Sequence, residues 1–360
     1  MKKVLIVVSG SMILAGTENM LMNYYRKIDK EKIHIDFLCH GYKEAYYDEE
    51  IKSNGSYIYR VPSKKQNLVL NIKKTYEIMK NGNYDVIHVN MDAMSFFPLL
   101  VGRVAGVKKR ICHCHSTNHL FESRYKFLEK EILRLLLPMV TTKYLACSRK
   151  SAYWLYGKRH YSLVVNAIDF KKFAYKNDIE EKIRRKFSWD NKTIIGHVGN
   201  FNYPKNQEFL IELFSEYYKR NKNSILVLIG DGKDLKRIEE MIEEKKIEKN
   251  VFLMGSRSDV NEIIQCFNVF VLPSFFEGLP LSVIEAQAAG IPCLISGAVT
   301  KEVKITDLCY FCSLKKPIAV WVELLDSLIK LKKRDMKNEI DKAGYNIDKA
   351  YKKLERIYLE

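Results

Sequence analysis

Residues 4–8 form an unbroken apolar run, followed by a loop carrying Gly10 and Gly16 and then by apolar positions at helical spacing over 18–28. Further short apolar runs at 34–38, 57–61, 86–89, 140–146 and 163–165 alternate with Lys-rich stretches of helical period such as 68–80. Continuous apolar strands, rather than strictly alternating ones, predict a parallel sheet covered by helices on both faces. The pattern then restarts, with strands at 193–198, 225–229, 251–254, 269–272 and 293–295 and helices at 207–220 and 235–245. Two such series predict an α/β protein of two Rossmann-like domains, with ligands beyond the carboxyl ends of the strands and the cleft between the sheets as the expected site. The boundary falls within 166–190, where charged residues are dense, and 318–360 reads as helices.

The composition supports this and excludes wholesale disorder: 47% of the 360 residues are hydrophobic and 12% aromatic, enough for packed cores in roughly two domains. Lys and Arg number 60 against 43 Asp and Glu, a net charge of +17. Residues 1–165 hold 27 of the basic and 14 of the acidic residues, so most of the excess lies in the first half. A basic face suits nucleic acid, an anionic membrane or a phosphorylated substrate alike.

Eight cysteines, most of them in apolar runs, predict reduced buried thiols in the cytoplasm rather than a disulfide framework. Cys309 and Cys312 form a lone CxxC with no second pair, too little for a zinc site. Alternation along the strand ending at Cys112-His113-Cys114-His115 sends both histidines to one face and both cysteines to the other, which favours functional histidines over a metal set. The basic, apolar start of the chain has features of a signal peptide, but Ser9-Gly10-Ser11 breaks the run, and a first strand entering a Gly-containing loop explains it. No window reaches the ~18 apolar residues of a membrane span.

The strongest local motif is Glu277-Gly278-Leu279-Pro280-Leu281-Ser282-Val283-Ile284-Glu285, placed between a predicted strand and a helix starting near Pro280. Pro suits a first helical turn, and the free N–H groups there can hold a phosphate. Glu285, further in, is placed to accept hydrogen bonds from a ribose. An ordinary loop with a solvated glutamate is the alternative.

The Glu-x7-Glu spacing with Gly-Leu-Pro after the first Glu resembles retaining family 4 glycosyltransferases, bacterial enzymes of polysaccharide biosynthesis with the two-domain GT-B fold. Gly196-His197-Val198-Gly199-Asn200 with Pro204-Lys205-Asn206, Ile229-Gly230-Asp231-Gly232, the segments 252–260, 146–148 and 165–169, and the loop at 4–18 resemble the family in the same order. The resemblance implies an acceptor-side domain over 1–168, a nucleotide-sugar domain over 169–342 and a helix at 343–360 returning to the first. It implies Glu277 near the transferred sugar, Lys205 on the donor diphosphate, Gly278 and Leu279 amides on the phosphates and Glu285 on the ribose. Ser256 and Arg257 would face the base, and Gly16 would let backbone approach the phosphate. Asn200 stands where the family usually has Arg, and Ala167 where it usually has Gly. His115 is the candidate for the histidine that meets the sugar, with His113 second on the same face.

The implied reaction is front-face transfer with retention, from a UDP-sugar with a GDP-sugar as the alternative, and with no metal and no cofactor. The leaving diphosphate takes the acceptor proton, and the protein positions and stabilises it. A glycan on a polyprenyl diphosphate is the expected acceptor. The stretch YKFLEKEILRLLLPMV at 125–140 is either a core helix or an interfacial helix at an anionic leaflet, alongside the basic run at 108–110, so the enzyme would be cytoplasmic, peripheral on the inner membrane face. A non-catalytic nucleic-acid-binding protein and a nucleotide-sugar epimerase of similar fold are the competing readings; no nucleic-acid-binding motif is present.

Overall fold

The apolar run Val4–Val8 becomes the buried centre of a seven-stranded parallel sheet in the computed structural model, which describes residues 1–119 and 124–360. The chain divides into two units, Met1–Ala167 with Ile347–Glu360, and Ile168–Asn346.

In the first unit β1 (Lys2–Val8), β2 (Ile33–His40), β3 (Ile58–Val61), β4 (Val86–Asn90), β5 (Lys109–Cys114), β6 (Lys143–Ala146) and β7 (Ser162–Leu163) lie in the order β3-β2-β1-β4-β5-β6-β7. Val8 pairs with Cys39 on one side and Asn90 on the other. The strand order therefore reverses between β1 and β4, and a ligand crevice opens beyond the carboxyl ends of strands at such a point. Connecting helices are α1 (Gly16–Tyr25), α2 (Asp48–Ser53), α3 (Leu68–Asn81), α4 (Phe96–Val104), α5 (Arg124–Leu136) and α6 (Arg149–Tyr156). Cys112 and Cys114 join the apolar core with Leu99, Leu137 and Ala152, while His88 and His113 face the other way.

The C-terminal helix, Ile347–Leu359, belongs to this first unit. Tyr358 Oη lies 2.6 Å from His88 Nδ1, Lys109 Nζ donates to Ile357 O (2.8 Å), and Lys27 pairs with Asp348 (2.6 Å).

Two expectations shift here. The basic run at 108–110 is partly structural: Arg110 donates to the carbonyls of Val140, Val107 and Lys108, and Lys109 is tied to the C-terminal helix. The stretch at 125–140 joins the core by one side only. Leu133, Leu137 and Val140 are buried, whereas Tyr125, Leu128, Ile132, Leu135 and Met139 are 49–80% exposed and recur at three- and four-residue steps along one stripe. No helix among the described residues is long and apolar enough to cross a membrane.

The second unit carries β8 (Thr193–Val198), β9 (Ser224–Ile229), β10 (Val251–Leu253), β11 (Val269–Leu272), β12 (Cys293–Ser296) and β13 (Cys309–Cys312), parallel, in the order β10-β9-β8-β11-β12-β13. Its helices are α7 (Phe170–Phe173), α8 (Asn177–Lys186), α9 (Gln207–Arg220), α10 (Leu235–Glu244), α11 (Val260–Ile263), α12 (Leu281–Ala288), α13 (Ile318–Ile329) and α14 (Lys337–Lys342). Here the order reverses between β8 and β11. The edge strand β13 was not expected: its four residues are the CxxC, too short and too motif-like to read as a strand. All eight cysteines are free and buried, and burial pushes the thiols up, Cys112 and Cys309 to about 12, so none is poised as a thiolate.

Candidate active site

Beyond β8, β9 and β10 three loops are stitched backbone to backbone. Gly199 N donates to Ile229 O, Phe201 N to Asp231 O and Gly230 N to Gly255 O, each at 2.9 Å. The crossing leaves no room for a side chain. A Cβ on Gly230, whose φ is +141°, would stand 2.1 Å from Gly199 O, and one on Gly232 2.3 Å from Phe201 O.

A short turn, Tyr203–Lys205, then carries Lys205 to the site, and Asn206 in the left-handed region (φ 55°) swings the chain into α9. Asn206 Nδ2 donates to Pro273 O (3.1 Å) and Phe275 N to Pro204 O (2.8 Å), which ties this turn to the loop after β11. That loop delivers Glu277. Lys205 Nζ and Glu277 Oε1 are 2.8 Å apart, with the two side chains 17% and 15% exposed, and Ser274 Oγ donates to the same carboxylate oxygen (2.9 Å). Gly278 and Leu279 are buried and lead through Pro280 into α12, all eight of whose residues are buried. Glu285, one turn in and 8% exposed, has its carboxyl pushed up to about 8 by burial, which favours the neutral acid.

The structure thus brings Lys205 and Glu277 into direct contact and sets Gly278, Leu279 and Glu285 on the same loop and helix. Asn200 is exposed at the end of β8. Ser256 is exposed beyond β10, and Arg257 is held in a fork by Asp259, Nε–Oδ1 and Nη2–Oδ2 both 2.7 Å, so its charge is matched. Sequence reading missed His197 and Gln207. His197 Nδ1–H donates to Val271 O (2.9 Å), and burial holds its imidazole neutral, down to about 4. Gln207 Nε2 lies 3.4 Å from His197 Nε2 and donates to Asn200 O (2.9 Å), which braces the loop beyond Gly199. A buried polar pair hidden in an apolar strand and a helix start gives no local motif.

In the first unit His115 follows β5, and His113 is fully buried beneath it with ring centroids 4.1 Å apart. His115 is the half-buried one of the two. Its Nε2 is 2.9 Å from Asn90 Oδ1, and its backbone N donates to Asp92 Oδ1 (2.9 Å). Asp92 holds a left-handed backbone (φ 48°), rare for a non-glycine residue and common at functional sites. Burial lowers the imidazole to about 4, against the opposing pull of the Asp92 carboxylate, so His115 is neutral. Gly16 starts α1 in open space, where a Cβ would meet no atom of the chain. Glu18, two residues on, is buried and its carboxyl is pushed up to about 7, another residue that no sequence motif marks. Among the described residues no group of three or more His, Cys, Asp or Glu is arranged for a metal ion.

Residues 178–346 match the family Glycosyl transferases group 1, and residues 14–170 match Glycosyltransferase Family 4. The chain is 35% identical over 373 residues to the glycosyltransferase EpsF of Bacillus subtilis, covering 99% of this chain and 96% of that one. It is 24% identical over 385 residues to the UDP-Gal:alpha-D-GlcNAc-diphosphoundecaprenol alpha-1,3-galactosyltransferase of Escherichia coli, covering 97% and 94%. Among solved structures, Anabaena HepE in complex with UDP and glucose superposes with a TM-score of 0.80 at 14% identity over 98% of each chain. WaaG, a glycosyltransferase of lipopolysaccharide biosynthesis, does so at 0.70 and 13%, over 99% and 95%.

Proposed function

The chain belongs to the family 4 glycosyltransferases, and on that premise we propose that it transfers a hexose with retention from a UDP-sugar to a lipid-linked glycan during cell-surface polysaccharide synthesis. One observation carries the reading: the Lys205–Glu277 pair stands at the entrance to the buried helix α12, whose Glu285 is set one turn further in. The group must neutralise a leaving diphosphate, and a lysine beside the backbone N–H groups of a helix start can supply that without a metal.

The residues then take these parts. Lys205 and the amides of Gly278 and Leu279 hold the diphosphate. Glu285 receives the ribose hydroxyls, and Ser256 and Arg257 border the base. Glu277 and His115 border the sugar, and Gly16 leaves space by the phosphate. As the bond from the anomeric carbon to the phosphate oxygen breaks, its electron pair stays on the diphosphate. The acceptor oxygen bonds the same face of the anomeric carbon, and its proton passes to the departing phosphate oxygen. The named substrates of the Escherichia coli relative support the donor and the lipid-linked acceptor, and the UDP and glucose in the HepE complex support the donor.

We assign the exposed stripe of α5 to an anionic membrane surface. It carries Leu128, Ile132 and Leu135 outward, and Arg124, Lys126, Lys130 and Arg134 outnumber Glu129 and Glu131 on the same helix. The decisive experiment for the reaction is incubation with UDP-hexoses and a polyprenyl-diphosphate-linked sugar, with the product anomer read by NMR. Absence of transfer from every UDP-hexose, or a product of inverted configuration, refutes it.

A further inference from the structure

The structure assigns Asn90 as a positioning residue that fixes which nitrogen of His115 is offered to substrate; the inference rests on His115 being the sugar-facing histidine proposed above. Asn90 ends β4 and is 5% exposed. Its Nδ2 lies 3.2 Å from the carbonyl of His88, a group that can only accept, so the amide is oriented with Oδ1 toward His115. The 2.9 Å contact between Asn90 Oδ1 and His115 Nε2 then requires the proton on Nε2. With the imidazole neutral, the lone pair sits on Nδ1, which has no hydrogen bond among the described residues. His115 can therefore accept a hydrogen bond there and cannot donate one. The matching ligand group is a hydroxyl, as on a hexose, and not a phosphate oxygen or a carbonyl.

Two further rings lie below: Tyr358 Oη is 2.6 Å from His88 Nδ1, and His88 Nε2 is 3.1 Å from His113 Nδ1. Burial also holds His88, down to about 3, and His113 neutral. His115 thus packs on uncharged imidazoles, with Asp92 as the charged group beside it.

The test uses the full chain with ring-15N-labelled histidine, the His115 signals being identified by their loss in His115→Ala. Long-range proton–nitrogen correlation should show the Nε2–H tautomer of His115 from pH 8 down to 5. Asn90→Leu should mix the tautomers and lower kcat/KM by about 10–100-fold. Asn90→Asp keeps an acceptor at the same place. It should retain the tautomer, raise the imidazole by one or two pH units and carry the acidic limb of kcat/KM up with it. This variant carries the test if the leucine variant does not fold. An Nδ1–H tautomer in the wild type, an unchanged tautomer in Asn90→Leu, or an acidic limb unmoved in Asn90→Asp overturns the assignment. Loss of the tautomer with undiminished transfer instead overturns the sugar-facing reading of His115, while the hold of Asn90 on the ring stands.

Discussion

Lys205 Nζ rests 2.8 Å from Glu277 Oε1, an oxygen already bonded by Ser274 Oγ. The cation is matched by a carboxylate, so it is held in place without an unpaired charge in a half-dry crevice. A diphosphate would draw the lysine to a denser negative charge. Lys205→Ala should therefore lower kcat/KM by about 100–1,000-fold and weaken UDP binding at least about tenfold by calorimetry. Glu277→Ala should reduce kcat by a similar factor with a smaller effect on UDP affinity. Both should melt within a few degrees of the wild type. Near-normal turnover in both variants would exclude the pair from catalysis.

Glu285 makes stability depend on pH. Its carboxyl is raised from 4.5 to about 8 in the folded chain, so the native state holds a proton there that the unfolded chain releases. The associated stability is complete below the unfolded value and is lost as pH rises from about 4.5 through about 8. Glu285→Gln removes the titration. Between pH 5 and 8.5 the wild-type Tm should fall by several degrees more than that of the glutamine variant. Parallel Tm profiles would show that the carboxyl titrates normally.

Two glycines should separate folding from ligand space. Gly230→Ala places a Cβ against Gly199 O at an unfavourable φ and should destabilise the second unit by about 2–4 kcal/mol in urea unfolding. Gly16→Ala meets nothing in the chain and should leave the unfolding midpoint unchanged, while raising KM for the sugar nucleotide. A stability loss at Gly16, or none at Gly230, would contradict these placements.

The stripe on α5 predicts co-flotation of the protein with phosphatidylglycerol vesicles, weakened by salt and absent with phosphatidylcholine alone. Replacing Leu128 and Leu135 by Glu should abolish it without changing the melting temperature, since these side chains are 59% and 70% exposed. Undiminished flotation would move the membrane contact elsewhere; a wild-type protein that does not float would remove it.

The two sheets were legible because buried parallel strands are continuous apolar runs, as at Val4–Val8 and Ile225–Ile229. Glu277 and Glu285 were legible because the motif is local. Lys205 could be named only through the resemblance, since its contact with Glu277 spans 72 positions of sequence. Asn90, His197 and Gln207 were hidden because what marks them is a hydrogen-bond partner on another strand, and a single sequence carries no trace of register. The character of 125–140 was open for a related reason: an apolar helical stripe states that it avoids water, not what it meets.

The first unit is assembled from two separated stretches of chain, and the hydrogen bond from Tyr358 to His88 closes over a gap of 270 residues. During synthesis the strands that carry His88, His113 and His115 therefore emerge long before the helix that covers them. Until Tyr358 has been added, His88 lacks its phenol partner, and the stacked imidazoles beneath His115 are not yet covered. The order of translation thus completes the first unit only after residues 168–346 have been synthesised.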